Sequence, residues 1–204
     1  MLKKIFSTLC MAVMLLFIAN SSAAAETKIA VVLDAPTGMF SEPEKVYSIV
    51  QQTLDNILKG ADYEILPVSD TADYVQIYRE ENDLTSAVTP EGIAVENFLK
   101  KEDINKIGKH FGADYVIYTR VSSTAPKVST GLFTASQKVN VILDFRVWSD
   151  SKQDFNYTKR ATTTGSSTAI YAGIGSASRA LEKGLKKGLQ EVEKDAVKVR
   201  AAME

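Results

Sequence analysis

The residues that could carry chemistry are few and lie far apart in the sequence. Hydrolytic enzymes commonly join a nucleophile, a base and an orienting acid. The single histidine, His110, sits in Lys109-His-Phe-Gly112, and the single cysteine, Cys10, falls within the first 25 residues. At the end of a helix a cation meets the negative end of the dipole, so a capping role accounts for His110 without catalysis. One histidine cannot furnish a metal site of several His or Cys ligands, and no D-x-D-x-D-G calcium loop is present. Gly173-Ile-Gly175 precedes a predicted helix, where backbone N–H groups favour anions. It lacks the lysine and spacing of a phosphate loop, and Ser178 stands where the third glycine of G-x-G-x-x-G would be. A flexible lead into the helix accounts for it. Glu80-Glu81 and Glu102-Asp103 are pairs in sequence only. Adjacent helical positions do not face each other, so all four acids read as a solvated face. The tyrosines Tyr74, Tyr78, Tyr115, Tyr118, Tyr157 and Tyr171 suit a core as well as a binding surface. The expectation is therefore no catalytic residue, no cofactor and no metal.

The elements that would position any site are easier to read. Lys28-Ile-Ala-Val-Val-Leu33 is a β-branched apolar run, as expected of a buried first strand. Ser41 and Glu44 make an S-x-x-E capping box, with Pro43 tolerated in the first turn. Val46, Ile49, Val50, Thr53, Leu54, Ile57 and Leu58 then follow a period of 3.6, and Gly60 is placed to stop the helix. Tyr63 to Val68 reads as a second strand and Thr71 to Glu81 as a short helix. Thr89-Pro90 resembles a helix start, with Val95, Phe98 and Leu99 at helical spacing. A further helix over Lys101–Phe111 closes at Gly112, and a strand follows from Ala113 to Val121. Val139, Val141, Leu143, Phe145 and Val147 alternate along Lys138–Trp148, and Phe155–Thr164 returns as a more polar strand to form a hairpin. Leu181, Leu185, Leu189, Val192, Ala196 and Val199 line one side of the last helix. Gly184 and Gly188 lie near that stripe; each costs a helix about 1 kcal/mol relative to Ala, which points to close approach to a sheet. The order βαβααβββα predicts an α/β or α+β fold with helices packed on a mixed β-sheet.

The amino terminus reads as an export leader. Lys3 and Lys4 precede an uncharged apolar stretch from Ile5 to about Ala19, and Ala23 and Ala25 form an A-x-A cleavage pattern. Cleavage is expected between Ala25 and Glu26. The apolar run is shorter than the roughly 20 residues of a spanning helix. Cys10 follows Lys4 too closely to end an h-region of about 7–15 residues, so no lipid attachment is expected there. The sequence then divides into a signal peptide, 1–25, and one α/β domain, 26–204, with no transmembrane span in the mature form. The whole chain has 24 basic and 25 acidic residues; with Lys3 and Lys4 in the leader, the remainder carries a net charge of −3. Nonspecific nucleic-acid binding needs clustered Lys and Arg, so no nucleic-acid partner is expected. Localisation is expected to be periplasmic or secreted.

Ser122–Ser136 is rich in Ser, Thr, Gly and Pro and reads as a long loop. Its only large apolar residues are Val128, Leu132 and Phe133. Long loops on a rigid scaffold often carry functional contacts. Leu132-Phe133 is therefore the candidate partner contact, as an apolar tip, with partial burial against the loop itself as the competing reading.

The helix–Gly112-Ala-Asp114–strand passage, followed by Tyr115-Val-Ile117, resembles one found in bacterial envelope accessory domains of the CsgG, LpoB and TolB amino-terminal type. Tyr118-Thr119 stands where those proteins carry a glycine. The order of strand, long helix, hairpin and closing helix is also similar. The resemblance implies a non-enzymatic exported protein that works by contacting envelope proteins or a second copy of itself. Those lipoproteins carry a lipobox cysteine that is absent here. TolB continues into a β-propeller, whereas this sequence ends at Glu204. Ser122–Ser136 is too polar to supply the membrane hairpins of a curli-type pore. The competing class is an exported small-molecule binder or a hydrolase using acids and hydroxyls at the sheet edge and in Gly165–Ser178.

Overall fold

The computed structural model describes residues 26–36, 38–84, 87–88, 94–95, 97–131, 134–170 and 176–204. In chain order the elements are β1 (Thr27–Asp34), α1 (Pro43–Ile57), β2 (Tyr63–Ile65), α2 (Val68–Glu81), β3 (Ala87–Val88), β4 (Ala94–Val95) and α3 (Lys101–Phe111). They continue as β5 (Tyr115–Ser123), β6 (Lys127–Thr130), β7 (Thr134–Ser149), β8 (Asp154–Ile170), α4 (Ala177–Glu193) and α5 (Ala196–Ala201). Six strands form one mixed sheet in the order β2-β1-β5-β7, with β6 and β8 both paired to β7. β1 runs parallel to β2 and β5, whereas β5, β6 and β8 run antiparallel to β7. Helices packed on a mixed sheet are what the sequence predicts.

β1 is apolar from Ile29 to Leu33 because both of its faces are covered there. Ile29 and Val31 belong to one core with α1, α4 and α5, while Ala30 and Val32 belong to a second core with α2 and α3. The alternating set Val139, Val141, Leu143, Phe145 and Val147 lies wholly in the first core, and Trp148 in the second. As the next residue after Val147, Trp148 points to the opposite face by strand alternation, and the pairing against β8 shifts by one residue between the two. Its indole then packs edge-on to Phe155.

The glycines of α4 let the helix lie directly on the sheet. A Cβ at Gly184 would press on Val141, one at Gly188 on Leu143, and one at Gly165 of β8 on the carbonyl of Ala180. The Thr163 hydroxyl donates to the Gly184 carbonyl at 2.6 Å, which fixes the same contact. Past α4 the predicted single helix divides. Lys194 and Asp195 form a turn, and α5 starts behind it. Asp195 accepts from Lys159 at 2.7 Å and from the Tyr157 hydroxyl at 3.1 Å, both on β8. Hydrogen bonds from Lys159 and then Lys198 hold its carboxyl down at about 2.

Several local expectations are corrected. Ser122–Ser136 is not a loop: β5 runs on to Ser123, β6 occupies Lys127–Thr130 and β7 begins at Thr134. Thr and Ser suit a strand once its backbone is paired. At Thr124-Ala-Pro126 the register against β7 slips by one residue, as the missing proline N–H allows. β8 likewise continues past Thr164 to Ile170, into the predicted small-residue segment. Ala94–Val95 pairs with Ala87–Val88 as a two-stranded ribbon, so the helix expected behind Thr89-Pro90 is replaced there by strand; residues 89–93 and 96 lie outside the described ones. The capping box at Ser41 does not form. Pro43 opens the helix with Glu42 as N-cap, and the Ser41 hydroxyl donates instead to the Ser178 hydroxyl at 2.8 Å. Gly112 does close α3, in a left-handed conformation at φ 59°.

Candidate functional site

β1 ends in a buried acid, and the groups around it come from α2, from β5 and from the segment leading into α3. Asp34 is fully buried. Its carboxylate pairs with the Arg79 guanidinium of α2, and it accepts from the Tyr118 hydroxyl of β5 at 2.5 Å and the Leu99 N–H at 2.9 Å. Burial pushes the Tyr118 hydroxyl up to about 12, so it donates throughout the physiological range. Arg79 also donates to the carbonyls of Leu84 and Asn97, each at 3.2 Å. Those two carbonyls bracket the excursion that holds β3 and β4. The Asp34–Arg79 pair thus clamps both ends of that excursion to the top of the sheet, and its groups are consumed in doing so.

Beside this cluster a groove opens between α1 and α2. Its first lobe, about 410 Å³, is walled by Leu33, Met39, Phe40, Tyr47 and Val75, with Gln76 and Glu80 at the side. A second lobe of about 430 Å³ continues past Tyr47 along α1, lined by Glu44, Gln51, Asp55, Pro67 and Ser69. Both volumes fall in the range of ligand sites, about 300–1,000 Å³. Burial raises the Tyr47 hydroxyl pKa, helped by the carboxylates of Glu44 and Asp73. The chemistry on offer is recognition: an apolar floor, one phenol and an acidic margin. Among the described residues no group of three or more His, Asp or Glu is placed to hold a metal ion.

The same end of the sheet carries a ribbon built from β6 and the adjoining ends of β7 and β8. Thr130 lies opposite Ala135, and the Gly131 N–H donates to the Thr134 carbonyl at 2.7 Å, which closes the β6–β7 turn. Leu132 and Phe133, the candidate contact, lie between these positions but outside the described residues. All four residues of β6 are exposed. Of the cleavage pair, Glu26 is exposed just before β1, and Ala25 lies outside the described residues.

The remaining residues singled out in sequence are structural or remote. His110 stacks on Tyr74 with ring centroids 3.6 Å apart and meets Phe111 edge-on. Asp103 departs from the solvated-face reading: it accepts from the Tyr78 hydroxyl at 2.7 Å and from the Lys100 N–H at 2.8 Å. Tyr78 and Tyr118 are core residues. Tyr171, Gly173 and Gly175 lie outside the described residues.

No protein-family model and no curated protein matches the chain. Solved structures do. The lipoprotein GNA1162 from Neisseria meningitidis is similar over 84% of this chain and 97% of its own, at 17% identity and a TM-score of 0.35. A PelC dodecamer from Paraburkholderia phytofirmans is similar over 84% and 86%, at 15% identity and a TM-score of 0.41. The carboxyl-terminal domain of LpoB from Salmonella enterica is similar over 72% and 88%, at 11% identity and a TM-score of 0.32.

Sequence reasoning missed the Asp34 cluster and the groove. Neither Asp34 nor Arg79 is singled out by any motif or period in the sequence. The one signal available was an acid ending a strand that is apolar on both faces, a place where a carboxylate needs a partner.

Proposed function

We propose that this chain is an exported envelope accessory protein without a catalytic step of its own, acting through contacts with other envelope proteins. The observation that carries the reading is the β6–β7–β8 ribbon. β7 and β8 have 16 and 17 residues, long for strands that are commonly about 5–6. Val128 is 57% exposed on β6, beside a turn whose sequence is Gly131-Leu-Phe. A strand margin with an apolar turn offers both backbone and side-chain recognition to a partner. The leader supports export, and the described residues contain no helix long and apolar enough to cross a membrane.

Two measurements test this. On this reading, replacing Leu132 and Phe133 together by Ser should leave the melting temperature within about 2 °C. Crosslinked capture of envelope proteins should at the same time fall about tenfold, as expected when an apolar anchor is removed. A large drop in melting temperature would place the pair in the core and remove it from the interface. Failure of the native chain to enrich any envelope protein over a control would sink the wider reading. Separately, the intact mass of protein recovered from the host envelope should correspond to a chain starting at Glu26. A retained Met1, or an acylated Cys10, would defeat the export assignment.

A further inference from the structure

The groove between α1 and α2 has no part in the ribbon contact, yet its composition is selective. Met39, Phe40, Leu33 and Val75 wall one lobe with apolar surface, and Tyr47 divides that lobe from the next. Glu80 borders the first lobe, and Glu44 and Asp55 border the second. The single basic residue among the described lining residues is Arg79, and Asp34 neutralises it from beneath. Lys45, the nearest lysine on α1, is turned away and pairs with Glu182 of α4 at 2.7 Å. The groove therefore presents apolar walls under an uncompensated negative field, which selects for positive charge beside hydrophobic surface.

We propose that this groove binds an extended peptide segment of the partner protein that carries an aromatic side chain next to lysine or arginine. The aromatic ring enters the lobe at Met39, Phe40 and Val75, and the cation lies against Glu80 or, across Tyr47, Glu44. Tyr47 supplies a hydroxyl between the lobes for a peptide carbonyl, and its ring can stack on the entering cation. The proposal deepens the reading of the chain as a protein-contact module and rests on it. It adds a second point of attachment, on α1 and α2, to the one at the ribbon.

The test uses the ¹⁵N-labelled mature protein, residues 26–204, titrated with the blocked tetrapeptide Phe-Lys-Phe-Lys and its counterpart Phe-Glu-Phe-Glu. Saturable shifts at Met39–Tyr47 and Ala72–Glu80 are expected with the lysine peptide alone. Binding should weaken about tenfold in the exposed-residue variant Glu44→Gln/Glu80→Gln, and by a similar factor when salt is raised from about 50 to 500 mM. Lack of saturation by about 10 mM, equal binding of the glutamate peptide, or shifts centred on other residues would each overturn the proposal. Capture of envelope proteins by Glu44→Gln/Glu80→Gln separates this inference from the one it rests on. A peptide that fails to bind, with partner capture still lost on Leu132→Ser/Phe133→Ser, removes the groove and leaves the ribbon standing.

Discussion

Leu185→Asp is expected to destabilise the protein by about 5 kcal/mol. Leu185 is fully buried in the middle of α4, between the paired glycines and the stripe of Leu181, Leu189 and Val192. The core it enters joins α1, α4 and α5 to β7, so a carboxylate there would lie among buried apolar side chains. Losing the leucine alone would cost about 2–5 kcal/mol, as deletions of buried methyl groups do. Burying an acid adds the cost of desolvating a charge, or of protonating it. A loss of about 5 kcal/mol is a third or more of the stability of an ordinary domain, about 5–15 kcal/mol. In urea the unfolding midpoint should fall by about 2 M or more, with Leu185→Met as the tolerated control. A midpoint within a few tenths of a molar of the native chain would mean that this face of α4 is exposed, and the packing of α4 on β7 would be refuted.

Asp34→Ala should produce the second-largest loss, by a different route. It removes little apolar surface, but strands a guanidinium in the interior. Arg79 has a side chain only 12% exposed, and burial already lowers its pKa from the ordinary value. Breaking a buried pair by deleting one partner costs about 3–5 kcal/mol because the survivor stays desolvated. The Tyr118 hydroxyl and the Leu99 N–H lose their acceptor as well. Asp34→Asn keeps the shape and one acceptor oxygen and should cost about half as much. Adding Arg79→Met to Asp34→Ala should restore part of the loss, since both charges are then gone. Hydrogen exchange adds a local readout: amides near Leu84 and Leu99 should lose protection first, because Arg79 holds the two ends of that excursion. If Asp34→Ala unfolds with the native midpoint and exchange pattern, the cluster contributes nothing and the clamp does not exist.

These two sites differ in how far they could be read in advance. The stripe of Leu181, Leu185, Leu189 and Val192 is periodic, and helical periodicity is local information that survives without neighbours. The same holds for the alternation of Val139 through Val147, for the continuous run of β1 and for the left-handed stop at Gly112. Gly184 and Gly188 even announced what lies beneath them, because a glycine inside a helix has a local cost that only close packing offsets. Asp34 and Arg79 stand 45 residues apart, and nothing in either neighbourhood names the other. Their pairing depends on α2 crossing the end of β1, a fact of assembly.

The candidate contacts divide along the same line. By itself the sequence determined the leader pattern, the scarcity of catalytic side chains, the two-faced burial of β1 and the helices that cover the sheet. Each follows from composition or from a period of 2 or 3.6. Only the tertiary structure decided that Lys127–Thr130 is a strand, since Ser and Thr without apolar alternation give no local signal. Their strand geometry comes from backbone hydrogen bonds to β7. Only the tertiary structure, too, made a groove from Met39 and Phe40 on one loop, Glu44 and Tyr47 on α1 and Val75 and Glu80 on α2. A cavity is the space that packed elements leave between them, so its shape and its charge exist only after the helices have taken their places on the sheet.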